Sequence, residues 1–348
     1  MSATDRIAVV LFNLGGPDSL ESIEPFLFNL FTDPAIIGLP APIRRFVAKL
    51  IVRRRVSTAR EIYARIGGSS PLLANTEAQA GALEERLSDL GEVRVFVCMR
   101  YWHPMSGAVA AAVKSFDPHR IVLLPLYPQY STTTTASSQK AWRRSAGGAG
   151  ITVPTRLVCC YPTAPGFIDA AAKLVRGGIA KAEAAGHRHL RVLFSAHGLP
   201  RRIVSRGDPY EAQVRLTART VAAQLELADE DWIVCFQSRV GPLEWIGPYT
   251  DDEIRRAGRD RVGIVLFPIS FVSEHSETLV ELDLDYRRVA EQSGVACYKR
   301  VPTVGTDPAF IETLADLVRA TVESPQLVRS GSGVRLCAAD RCCAYQAA

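Results

Sequence analysis

Long hydrophobic runs are absent from this sequence. No stretch comes near the ~20 consecutive apolar residues that a helix needs to cross a bilayer. The opening residues, MSATDRIAVVLFNLGG, lack the basic start and small-residue cleavage site of a secretory signal. No transit peptide is visible either, so the expected location is the cytoplasm. Neither G-x-G-x-x-G nor G-K-S/T occurs, which argues against a nucleotide ligand. Charge of one sign is also scarce. A net +5 spread over 348 residues gives no field that would collect nucleic acid, and no nucleic-acid partner is expected. No internal repeat is legible.

What is present is a large, ordinary globular composition. A chain of 348 residues is too long for one small core and implies two domains or one large α/β unit. Short β-branched and apolar runs at 6–15, 92–101, 120–128, 151–162, 190–198, 232–238 and 261–271 read as strands buried on both faces. Helical spacing of apolar residues falls at 76–90, 108–116, 166–185, 210–227 and 309–324. The alternating order predicts an α/β fold of parallel sheets flanked by helices, with ligand groups in the loops after the strands. The strands divide into two Rossmann-like lobes. Residues 1–150 form the first, 151–324 the second and 325–348 a tail, with the Gly-rich stretch 143–154 as the boundary.

The loop after the seventh strand is strongly acidic. Glu274, Glu277, Glu281 and Asp285 are three or four residues apart and on a helix would share one face. Like charges at that spacing weaken a helix, and no Lys or Arg intervenes before Arg287. Such a row could pass protons or loosely held divalent cations, with His275 as an added imidazole. The bland alternative is a solvated helix face. His197 ends the fifth strand in FSAHGLP, where an imidazole can exchange protons near neutrality. Trp245 in QSRVGPLEWIGP offers a flat wall for a planar ligand or a packing residue at a rim. In MRYWHP, Arg100 could clamp a carboxylate, with Tyr101, Trp102 and His103 adding aromatic surface. Seven Ser and Thr hydroxyls in QYSTTTTASSQ precede a helix start, a place for phosphate or carboxylate.

Residues 23–56 crowd Phe26, Leu27, Leu30, Phe31, Ile36, Ile37 and Leu39 among four prolines, which is too broken for a simple core helix. Between Arg44 and Arg65 follow eight Arg or Lys and one acid. An exposed apolar lip with a basic helix behind it would bind an anionic membrane surface. Eight cysteines are present, five of them in two tight groups: Cys159 with Cys160, and Cys337, Cys342 and Cys343. In a reducing compartment disulfides are the poorer reading.

Taken together, LFNLGGPDSLESIEPFLFNLFTDP, RIGGSSPL, MRYWHP, LYPQYSTTTTASS, FSAHGLP, CFQSRVGPLEWIGP and PISFVSEHSETLVELDLDY resemble, in order, the pattern of the ferrochelatase family in its bacterial members. The resemblance runs over roughly residues 6–320. It implies a lyase that inserts Fe2+ into protoporphyrin IX to form protoheme, releasing two protons. It also implies two lobes with a porphyrin cleft between them. The family's essential histidine falls on His197 and its catalytic carboxylate on Glu277. The metal-handling set becomes His197, Glu274, His275, Glu277, Glu281 and Asp285, and the porphyrin contacts Arg65, Arg100, Tyr101, Tyr130, Ser131 and Trp245. His197 and the acidic row are expected to face each other across a slot of tetrapyrrole size.

The resemblance further implies a [2Fe–2S] cluster held by Cys337, Cys342 and Cys343 with Cys159 or Cys160. It departs from animal members, whose remote ligand lies in the hydroxyl-rich loop, where this chain has Thr132. The lip implies peripheral attachment to the inner face of the cytoplasmic membrane, and monomer and homodimer stay open. A coproporphyrin or cobalt chelatase and a non-catalytic tetrapyrrole carrier are the alternatives.

Overall fold

A computed structural model describes residues 5–332. Its strands, in chain order, are β1 (Arg6–Asn13), β2 (Glu92–Met99), β3 (Arg120–Pro125), β4 (Thr155–Val158), β5 (Leu190–His197), β6 (Trp232–Gln237), β7 (Gly263–Pro268), β8 (Tyr298–Arg300) and β9 (Val328–Arg329). All seven expected strands form, with helices between them, and every strand pairing is parallel. β1 and β7 are buried almost end to end, which is why their sequences are continuously apolar rather than alternating.

The strands make two sheets, ordered β2-β1-β3-β4-β9 and β6-β5-β7-β8. The first four strands of one sheet and all four of the other follow the same winding: a central first strand, the second on one side, the rest on the other. The sequence shows no trace of this repetition, because a buried parallel strand needs only the right class of residue and not a particular one. In such a sheet the winding reverses beside the first strand, and ligand groups collect beyond the strand ends at that point. In the second sheet that place lies past the ends of β5 and β7, where His197 and the acidic segment emerge.

Three sequence readings need correction. Residues 143–148 are the end of the helix Thr135–Gly148, so the Gly-rich stretch is no linker. The compact units part after Cys160, because β4 pairs with β3 and belongs to the first sheet. The chain past Pro325 is not wholly tail. β9 pairs with β4, with the Leu157 N–H donating to the Leu327 carbonyl at 2.8 Å and the Cys159 N–H to the Arg329 carbonyl at 2.8 Å. The first unit therefore comprises the chain up to Cys160 with Leu314–Ser330, and the second is Tyr161–Thr313.

The lip is also built differently. Ile23–Phe31 is a regular helix, and Ile23 and Leu27 pack with Val52 and Tyr63 in a buried cluster. Pro25 sits in its first turn, where a missing N–H costs little. The exposed apolar side chains are Leu39, Ile43, Phe46 and Leu50. The last three lie on the 24-residue helix Ala41–Ala64, at a spacing that puts them on one side. Arg44 closes the entry to this helix by donating to the carbonyls of Thr32 (2.8 Å) and Leu39 (2.5 Å). Among the described residues no helix is long and apolar enough to cross a membrane.

Candidate active site

His197 is the last residue of β5, and its orientation is set by its neighbour. The ring Nδ1–H donates to the Gly198 carbonyl at 2.6 Å, a carbonyl being able only to accept. The proton is thus fixed on Nδ1, and Nε2 presents a lone pair. Nε2 stands 3.8 Å from Glu277 Oε1, both side chains about one-third exposed. A Cβ on Gly198 would lie 2.9 Å from the Gln237 carbonyl and 3.0 Å from the Trp245 ring, so only glycine lets the tryptophan loop close here. Trp245 does stand beside His197, with ring centroids 6.5 Å apart, and is anchored by its Nε1–H on the Val240 carbonyl.

The expected slot between imidazole and carboxylate is absent. A ring sandwiched between them would need two van der Waals contacts, roughly 7 Å in all. At 3.8 Å the two groups stand side by side and present a joint edge. Tyr210 braces that edge from below. Its hydroxyl donates to the His197 carbonyl (3.0 Å) and accepts from Ser270 (2.9 Å), tying β5 to the loop that leads to Glu277. Burial holds this phenol well above its ordinary value, so it stays neutral.

The acidic row is divided by the fold. Glu274 precedes the helix and does not share its face, correcting the single-face reading. Residues Glu277–Asp285 form a π-helix, whose i→i+5 bonding is rare and concentrated at functional sites. Glu274 accepts from Arg300 Nη1 at 2.6 Å and from the Thr303 N–H at 3.0 Å, so its charge is matched within the fold. Glu281 accepts from the Ser238 N–H (2.9 Å), the Ser238 hydroxyl (2.5 Å) and the Tyr286 hydroxyl (3.0 Å). Ser238 reaches it from a left-handed backbone, φ 63°, at the end of β6. Burial, then the neighbouring Glu277 charge, push the Glu281 carboxyl up, against the pull of its donors. Asp285 is half-buried.

Among the described residues, the buried Glu277 Oε2 and His275 Nε2 have no hydrogen-bond partner. The Thr278 N–H donates to His275 Nδ1 at 3.3 Å, so the neutral ring carries its proton on Nε2. Burial lowers the His275 pKa and keeps the ring in that neutral form. Such orphaned groups need a partner that is not part of the fold. Among the described residues no three His, Cys, Asp or Glu side chains are arranged to hold a metal ion.

In the first unit, Arg100 does clamp a carboxylate, but it is the chain's own Asp33. Asp33 Oδ2 accepts from Arg100 Nη2 (2.7 Å), from the Tyr101 hydroxyl (2.9 Å) and from Ser137. Asp33 was not singled out in the sequence, although Asp before Pro after a helical run is a stop signal that marks it. Tyr101 is only 1% exposed. Tyr130 and Ser131 are also buried, and Arg65 is exposed at the end of its helix. Of the hydroxyl run, Ser131, Thr133, Thr135, Ser137 and Ser138 are buried. Cys159 and Cys160 are fully buried with their sulfurs 3.6 Å apart, and Cys337, Cys342 and Cys343 lie outside the described residues.

Two parallel sheets of like winding, flanked by helices, make an α/β fold of the chelatase type. SirB from Bacillus subtilis, solved with Fe3+, matches 92% of this chain and 96% of its own at a TM-score of 0.53 and 12% identity. DR2241 from Deinococcus radiodurans, described as structurally similar to chelatases, matches at a TM-score of 0.51 and 14% identity over 92% of this chain and 55% of its own. These likenesses carry the fold alone. Within that class the chain belongs to the ferrochelatase family, whose model matches residues 6–322. The ferrochelatase of Caulobacter vibrioides is 53% identical over 341 residues, 97% of this chain and 96% of that protein. That of Phenylobacterium zucineum is 55% identical over 314 residues, 89% and 90% of the respective chains. The chain is thus a lyase of heme synthesis that inserts iron into a porphyrin.

The crowded Glu281 gives a stability test. Its folded pKa lies above the unfolded value of about 4.3, so ionisation at higher pH costs the folded state free energy. Glu281→Gln should therefore melt at a higher temperature than the wild type at pH 8. The gain should shrink as pH falls through the raised pKa, as a set of thermal melts across pH will show.

Proposed function

We propose that the porphyrin is protoporphyrin IX and that His197 and Glu277 take the two pyrrole protons that Fe2+ replaces. The observation that carries this is the lone pair of His197 Nε2, fixed by the Nδ1–H bond and placed 3.8 Å from Glu277. The reaction exchanges two N–H protons for one dication, and iron stays ferrous throughout. The imidazole accepts one proton and becomes a cation, which Glu277 stabilises at that distance. The carboxylate accepts the other. A flat porphyrin hides its nitrogen lone pairs, so a site complementary to a bent ring lowers the barrier.

Glu281 is the next stop for a proton leaving Glu277. Burial, and then the nearby Glu277 charge, raise its pKa and make it a ready acceptor. Both its oxygens already accept hydrogen bonds, which favours proton conduction over metal capture. Glu274 is engaged by Arg300 and His275 accepts from the Thr278 N–H, so neither is offered to iron, and Asp285 remains the proposed guide. In the first unit, exposed Arg65 is the candidate partner for a propionate.

The apolar stripe of Ile43, Phe46 and Leu50, flanked by exposed Arg45, Lys49 and Arg53, supports peripheral attachment to an anionic membrane from the cytoplasmic side. Phe46 is 71% exposed and is the natural anchor.

The cysteines fit a [2Fe–2S] cluster in one respect. The chain leaving β9 toward Cys337 is hydrogen-bonded to Cys159 itself, so the tail starts beside the two buried thiols. Cys159 or Cys160 with Cys337, Cys342 and Cys343 would hold it, and bound there it would supply one-electron redox chemistry outside the redox-neutral insertion.

Three experiments test these readings. Glu277→Gln should lower metal insertion on the order of 10²–10⁴-fold while porphyrin binding, followed by fluorescence quenching, persists; undiminished turnover would sink the acid–base assignment. Phe46→Glu should release the protein from vesicles containing anionic lipid in a sedimentation assay, and retention would remove the lip from the account. Protein purified without oxygen should show the visible absorption of a sulfide-bridged di-iron centre, lost in Cys342→Ser; a featureless spectrum would remove the cluster.

A further inference from the structure

Arg300 is a buried cation that no sequence pattern marks. It ends β8, and its side chain is 8% exposed. One guanidinium nitrogen holds Glu274 at 2.6 Å, and the other holds Asp283. Beside it, the Tyr298 hydroxyl donates to the Leu282 carbonyl at 2.7 Å, so β8 grips the same helix twice. Glu274 lies three residues ahead of Glu277, and Asp283 two residues past Glu281. The two carboxylates that face the chemistry are therefore bracketed by the two that Arg300 holds.

We propose that Arg300 is a positioning residue for iron insertion, fixing the π-helix so that Glu277 and Glu281 keep their places relative to His197. The proposal rests on the reading of Glu277 as a proton acceptor. Three arguments support it. The π-helix is a disfavoured ladder that persists only where outside contacts hold it, and Arg300 ties a point three residues before its start to the seventh of its nine residues. Two of the five acids between 274 and 285 are matched by this one cation, which relieves repulsion without touching Glu277 or Glu281. A buried ion pair is also weak as a source of stability, since desolvation consumes most of its attraction. What a planar fork does supply is a fixed angle and distance between two carboxylates, which a lysine ammonium cannot reproduce.

The test compares Arg300→Lys, Arg300→Gln and Asp283→Asn with Glu277→Gln in the full-length protein. Zinc or ferrous insertion into protoporphyrin IX is measured alongside thermal melts. Arg300→Gln should lower kcat on the order of 10²-fold, as misplacement of a reacting group by about 1 Å does. Arg300→Lys, which keeps the charge and loses the fork, should also lower kcat, and in both the KM for porphyrin should be unchanged. A merely structural role would instead reduce activity only in step with the folded fraction. Should Arg300→Gln fail to fold, Arg300→Lys and the near-isosteric Asp283→Asn decide. Folded variants with wild-type kcat overturn the proposal. If Glu277→Gln is itself fully active, the acceptor reading fails; if it is inactive while the Arg300 variants are fully active, only the present inference fails.

Discussion

One hydrogen bond, from a ring nitrogen to the carbonyl of the very next residue, decides what this site can do. It commits the His197 tautomer, so the nitrogen toward Glu277 is a base rather than a donor. Its geometry requires the chain to turn at residue 198 with no side chain, because the tryptophan loop and the end of β6 occupy that space. Tyr210 then holds the carbonyl on the other side of the same peptide segment. The His197 imidazole is thus placed by backbone at the end of a buried strand.

Electrostatics follow from that placement. An imidazole beside one carboxylate is a simple acid–base pair, but four further acids crowd the adjoining segment. The fold offsets three of them. Glu274 and Asp283 are matched by Arg300, Glu281 is surrounded by donors and biased toward its protonated form, and His275 is kept neutral by burial. Of the acids in this segment, Glu277 is the one whose carboxylate stands beside His197, at 3.8 Å.

The sequence carried the strands and the position of His197 because these depend on residue class: apolar runs, turn residues, an imidazole at a strand terminus. It carried the acidic row as composition but not its division. The residues that divide the row come from elsewhere in the chain, Arg300 being 26 positions from Glu274 and Ser238 43 from Glu281. No local pattern encodes such pairings. The same holds for Asp33, whose claim on Arg100 spans 67 positions. β8 and β9, three and two residues long, are too short to show any periodicity. In the crowded segment 23–56 proline reads as a breaker, but Pro25 and Pro42 sit in first turns, where it is tolerated.

β9 has an implication for how the chain assembles. Its pairing with β4 makes the first unit discontinuous, while most of the second lies in the single stretch Tyr161–Thr313. During synthesis the later piece can complete itself while the earlier one still waits for its last strand. Until Val328 arrives, β4 exposes an unpaired margin of backbone, the kind that recruits strands from other molecules.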